Sequence, residues 1–444
     1  MNLPAQLSYA VGYGLVGKAA LWRQRRKDER AILARMRQPS GQLLAPPLLS
    51  SARMKELMSR HYLQARYATG VRKVAWVTSG APVEILQALG FLLIYPENHA
   101  ALCGARRKAV DMCVEAEHAG YSRDLCSYAR TDIGTVISGK APITRIPKPD
   151  LLLCCTNICQ TVLYWYRVLA HHFKVPLIVI DTPFLFEEAQ AHQIDFVKQQ
   201  LEEAIPVAEQ VAGRTLSFPT LKDVVHAGKR ASELWLEVLN RAQHRPAPIT
   251  AFDGFTNMGP IVDLRGEPET IRFYETLLAE VDRRIETGVG AVANERMRVL
   301  WDNLPIWYRM GWLSGLLAQR GVSIVASDYT YAWGELAPMM DPDRPIESAA
   351  RVYLHPILNR STGNKLHSMR RMAKDFQCDG VILHSDRSCK PYSLGQIAQR
   401  DWLANEVGVP AFLLEADHSD SRAFSEEQAG NRLEAFIELM EARG

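Results

Sequence analysis

Apolar residues in this chain gather into short, nearly unbroken runs set between longer stretches of mixed polarity. Leu151 to Cys155 and Leu177 to Ile180 are two such runs. Between them lie a short polar loop ending in Cys159 and a helical stretch of aromatics and aliphatics. Strand, helix and strand in that order, with the strands almost wholly apolar, predict a parallel βαβ unit covered on both faces. The pattern returns at Gly380 to His384, Ile397 to Val407 and Ala411 to Leu414, with Cys389 in the loop. Asp150 precedes Cys159 by nine residues and Asp379 precedes Cys389 by ten, and each unit enters its last strand through Val-Pro (Val175-Pro176, Val409-Pro410). Two units with a cysteine at the same place predict a duplicated α/β fold with an active site shared between the copies. Further strands are read at 73–78 and 91–95 in the first half, and at Arg298 to Trp301 and Val322 to Ala326 in the second.

This divides the chain into a helical N-terminal segment (1–70, interrupted at Pro46-Pro47), a first α/β domain (71–190), a helical connection (191–293) and a second α/β domain (294–444). At 444 residues more than one core is expected, and 47% hydrophobic with 23% charged residues is ordinary for a soluble protein. A net charge of +3 without Lys/Arg runs argues against a nucleic-acid partner. No apolar stretch reaches the ~20 residues of a membrane helix, and the N-terminus lacks the basic start of a signal peptide. The expectation is a cytoplasmic protein whose eight cysteines are reduced. Gly288 to Ala293 matches a loose dinucleotide fingerprint but follows a helix, so it is read as a decoy, and no phosphate-loop motif occurs.

Cys154, Cys155 and Cys378 fall in or beside strands, and Cys103 and Cys113 on a helix, where cysteine packs as a small hydrophobe. Cys126, Cys159 and Cys389 lie instead in polar loops or helix starts, RDLCSYART, CTNICQT and SDRSCKP. Such surroundings favour thiolates. The spacing matches neither a zinc ribbon nor a ferredoxin. Three thiolates suit a [4Fe–4S] cluster with one iron left open, although spacing alone also admits accident.

YPENHAALCGARRK, the TNICQT loop with Trp165 on its following helix, and HSDRSCKPYS…DWL…GVPAFLLEADHSDSRAFSEEQAGNRLEAF resemble the benzoyl-CoA reductase / 2-hydroxyacyl-CoA dehydratase family over roughly residues 70–444. Within it they look most like the larger cluster-bearing subunit of ATP-dependent benzoyl-CoA reductase. The resemblance implies two flavodoxin-like domains and a [4Fe–4S] cluster held by Cys126, Cys159 and Cys389. The implied partners are a smaller homologous cluster-bearing subunit, two ATP-hydrolysing electron-activating subunits that use the ATP, and a ferredoxin. The implied activity is dearomatisation of an aromatic acyl-CoA in anaerobic metabolism, with removal of water from a 2-hydroxyacyl-CoA as the alternative. Ser79, Pro82 and Glu84 match the family's S-x-x-P-x-E element, with Thr-Ser-Gly where dehydratases often carry Cys-Ser.

Strand-end loops also supply candidates for moving a proton: Glu97, His99, Glu84 and His384, the last with Asp386. Ser79, Asn98 and Asn157 are the candidates for holding the acyl group. The bland alternatives are helix capping for Glu97 and Asn98, turn formation for Asp386 and helix-end charge for Glu84. Ser361 to Asn364, opening a helix with Lys365, Arg370 and Arg371, is a weaker candidate for CoA phosphates.

Overall fold

The computed structural model describes residues 3–37 and 41–443; residues 1–2, 38–40 and 444, at the ends of the expected N-terminal segment and second domain and at one point within the former, lie outside them. All eight predicted strands form: β1 (Val74–Val77), β2 (Leu92–Ile94), β3 (Leu151–Cys155), β4 (Leu177–Ile180), β5 (Met297–Asp302), β6 (Val322–Ser327), β7 (Gly380–Asp386) and β8 (Ala411–Ala416). They make two four-stranded sheets, ordered β2-β1-β3-β4 and β6-β5-β7-β8, with every pairing parallel. The two orders are the same, so the duplication read from the two cysteine-bearing units extends to the whole sheet.

β1, β3 and β5 are buried along their full lengths, as strands covered by helices on both faces must be. Helix Gln160–Phe173 turns Val162, Trp165, Tyr166 and Leu169 inward, one helical face, and leaves Tyr164 in solvent. In each sheet the chain reverses its direction of winding between the two central strands. Such a switch opens a crevice at the carboxyl edge, where open α/β sheets bind ligands. The loops after β1 and β3 carry Ser79 and Cys159; those after β5 and β7 carry Asn303 and Cys389.

The connecting helices serve both halves. Val197 and Leu201 of helix Ala191–Ala212 enter the core of the first sheet. Trp235 and Leu239 of helix Phe218–Asn240 enter that of the second, with Val381 and Leu383. Helix Pro268–Glu286 stops at Gly288, whose φ of 67° suits glycine, and Val292 then bridges Leu44 in antiparallel fashion. The 288–293 run is therefore no strand-to-helix turn. No described helix is long and apolar enough to cross a membrane.

Candidate cysteine and carboxylate site

Three cysteines from distant loops meet. Cys126, Cys159 and Cys389 all pack against one apolar cluster that includes Tyr128, Val162, Trp165 and Tyr392. Each is half-buried, whereas the other five cysteines are buried. Each is also the residue capping a helix N-terminus: Ser127–Ser138, Gln160–Phe173 and Lys390–Ser393. A helix start presents free amides and a partial positive charge, which favours a sulfur anion.

The thiols sense one another. Burial and then the charge of Cys126 push Cys159 up to about 11, opposed by the amides of Val162 and Thr161. Cys389 rises well above its ordinary value through burial, Asp386, Cys126 and Cys159. Three crowded thiolates are unfavourable unless a cation compensates them, and a bound metal deprotonates coordinating thiols outright. The donor set therefore fits an iron–sulfur cluster held by three half-buried thiolates, with Cys154, in the same apolar cluster, wholly buried in β3.

A polar network ties two of the cysteine loops together, and its central member, His418, is not among the residues the sequence pattern singles out. His418 Nδ1 donates to Asp386 Oδ2 at 2.6 Å, and its Nε2 lies 2.8 Å from Ser127 Oγ and 3.8 Å from Cys126 Sγ. Asp386 Oδ1 accepts the amides of Ser388 (3.1 Å) and Cys389 (3.3 Å). Ser388 Oγ accepts from the Ser127 amide at 3.1 Å and donates to Asp417 at 2.6 Å. Burial pulls the imidazole down, but Asp386 and Asp417 override it and hold His418 well above its ordinary value. Its signals in the sequence are its place, since Asp417-His418 follows β8 on the same carboxyl edge as the cysteine loops, and its presence in the C-terminal motif that carries the family resemblance.

Glu97, Asn98 and Ser79 come together beside the cysteines. The Ser79 amide donates to Glu97 Oε1 at 3.0 Å, and Ser79 Oγ lies 3.5 Å from Asn98 Oδ1. Asn98 Nδ2 donates to Asp263 at 2.7 Å. Glu97 Oε2 has no hydrogen-bond partner. Burial, together with the charges of Asp132 and Asp263, lifts the Glu97 carboxyl to about 7 against the pull of the Ser79 amide. Its charge reaches Cys159 and Tyr329, and Tyr329 in turn feels Cys389.

Of the remaining candidates, Asn157, His384 and Glu84 have structural partners, whereas neither ring nitrogen of His99 has a hydrogen-bond partner among the described residues. Both N–H bonds of the Asn157 amide go to carbonyls, Gly80 at 2.9 Å and Tyr353 at 2.8 Å. His99 is buried and held down to about 4, hence neutral at pH 7. His384 donates from Nδ1 to the Leu304 carbonyl at 2.6 Å, against Trp301. Lys365 is not a phosphate ligand; its ammonium is buried 2.7 Å from Asp302. Pro82 lies in the loop before the helix that begins two residues later, at Glu84.

Glu84 accepts the Tyr353 hydroxyl at 2.6 Å and lies 3.8 Å from Arg265, which itself donates to the Ala81 carbonyl. Glu84→Ala leaves a buried guanidinium without its carboxylate. The expected loss is about 3 kcal/mol of stability in urea denaturation, with iron content unchanged.

Residues 78–440 match the family described as 2-hydroxyglutaryl-CoA dehydratase, D-component. The (R)-2-hydroxyisocaproyl-CoA dehydratase alpha subunit of Clostridioides difficile is 33% identical over 394 residues, 88% of this chain and 96% of that protein. The (R)-phenyllactyl-CoA dehydratase alpha subunit of Clostridium sporogenes is 30% identical over 375 residues, 84% of this chain and 90% of that protein. A benzoyl-CoA reductase subunit of Thauera aromatica is 29% identical over 410 residues, 89% of this chain and 95% of that protein. The likeness thus spans both branches and is wider than the reductase branch to which the motifs alone point.

Proposed function

We infer, from the premise that this chain belongs to the 2-hydroxyglutaryl-CoA dehydratase D-component family, that it is the cluster-bearing subunit of a hetero-oligomeric enzyme acting on an acyl-CoA thioester. The observation that carries this reading is the meeting of three helix-capping cysteines from both halves with a buried carboxyl at about 7 beside them. Cys126, Cys159 and Cys389 hold a [4Fe–4S] cluster, which when bound supplies one-electron reduction at low potential. The thioester lies in the crevice at the carboxyl edges of the sheets, where burial keeps water from a reactive radical.

Glu97 moves the proton. A carboxyl near 7 is a good acid and a good base at neutral pH, and its free Oε2 is the atom available to the substrate. His99, neutral and held near 4, is poorly matched to that work. Ser79 and Asn98 orient the acyl group beside it; Asn157, its N–H bonds spent, shapes the Ser79 loop.

The reaction favoured is removal of water from a 2-hydroxyacyl-CoA, supported by the dehydratase relatives at 33% and 30% identity. Reduction of an aromatic acyl-CoA is the second reading, supported by the benzoyl-CoA reductase relative at 29% and by Thr78-Ser79-Gly80 in place of Cys-Ser. The partners proposed are a smaller homologous subunit, an ATP-hydrolysing pair and a ferredoxin.

Assay of the anaerobically purified complex with 2-hydroxyacyl-CoA and benzoyl-CoA thioesters separates the two. Turnover of the former supports the dehydratase, and ring reduction alone supports the reductase. A cluster spectrum unchanged by either thioester, without turnover, sinks substrate binding by this chain.

A further inference from the structure

The polar network around His418 has a geometry that packing alone does not require. One carboxylate, Asp386, holds two things at once. Its Oδ1 accepts the amides of Ser388 and Cys389, fixing the Cys389 loop of the second half. Its Oδ2 takes the Nδ1 proton of His418 at 2.6 Å, fixing that ring. The ring's edge-on contact with Tyr128, at 4.1 Å between centroids, leaves it little freedom to turn. Nε2 then faces the loop of the first half, at 3.8 Å from Cys126 Sγ and 2.8 Å from Ser127 Oγ. Cys126 and Cys389 are thus joined through a carboxylate and an imidazole, both of them buried while the two cysteines are half-buried.

We propose that His418 is a positioning residue for the cysteine site: held by Asp386, it hydrogen-bonds the Cys126 sulfur, places it, and sets the reduction potential of the cluster that this sulfur binds. The proposal rests on the cluster reading above. The physical reason is general. Partners behind a ligand fix its orientation, and a hydrogen bond to a cluster sulfur withdraws electron density and stabilises the reduced state. Among the described residues, His418 is the imidazole in hydrogen-bond contact with one of the three cysteine sulfurs.

The test is made on the whole complex, with His418→Leu and His418→Gln. Iron per complex is measured chemically, and the midpoint potential by redox titration followed by electron paramagnetic resonance. His418→Leu is expected to lower the midpoint potential, and His418→Gln, which keeps an N–H donor, to return it part of the way. If His418→Leu loses iron and His418→Gln keeps it at a shifted potential, the proposal also stands. Wild-type iron and wild-type potential in both variants overturn it. Loss of iron from both, with native circular dichroism, leaves His418 a loop-packing role only and overturns it as well. Should His418→Leu fail to fold, the potential of His418→Gln decides: a value equal to wild type overturns the proposal, and a lower one supports it. A wild-type complex without iron would instead defeat the cluster reading, so the two failures are distinguishable.

Discussion

Alanine at Cys126, Cys159 or Cys389 is expected to strip iron from the chain, each change sufficient alone. Cluster binding is cooperative in its ligands: with two thiolates left, two irons lack protein sulfur rather than one. Iron content is expected to fall at least about tenfold, the lower end of what even a supporting partner of a ligand costs, and turnover with it. Cys154→Ala is the control. Its side chain is wholly buried in β3, in the same apolar cluster, and its thiol is pushed up mainly by burial. It is expected to keep its iron and to lose about 1 kcal/mol of stability. Iron retained at the wild-type level in any of the three site variants would sink the assignment of that cysteine.

Glu97→Gln carries the second large effect. Gln keeps an oxygen to accept the Ser79 amide but cannot exchange a proton, so turnover is expected to fall by about 10²–10⁴-fold with iron content unchanged. The substitution also has a signature in stability. The carboxyl is raised from 4.5 to about 7, so the native state favours the protonated acid. Its contribution is full below pH 4.5 and is lost as pH rises through 7, in all about 3 kcal/mol. Denaturation at a series of pH values is therefore expected to show Glu97→Gln gaining on the wild type as pH rises from about 4.5 to just above 7. A constant difference over that range would mean that Glu97 is not raised.

The strands were legible because a parallel strand buried on both faces is apolar along most of its length, as Leu151 to Cys155 is, and is bounded by polar loops. The pairing of Cys159 with Cys389 was legible for the same reason, since each follows such a strand at nearly the same distance. What pattern could not show is which polar residues fold inward. Glu84 and Glu97 look alike in sequence, each an acid near a helix start. One faces Arg265 and Tyr353, the other only the Ser79 amide and two buried acids. Lys365 stood as a candidate for CoA phosphates because nothing in its own helix reveals the Asp302 carboxylate, which comes from β5. His418 needs Asp386 and Cys126 from two other segments to acquire its meaning.

The dispersal of the three sulfurs over both halves bears on how the protein is made. Cys159 and Cys389 are 230 residues apart in the chain. The strands of the first sheet and two of the three cysteines are synthesised before β7 and its loop, although the core under that sheet is closed only by helix Pro345–Leu354 of the second half. A nascent chain therefore has no complete site to offer a metal donor. On the cluster reading proposed above, loading belongs after synthesis, once the second half has folded.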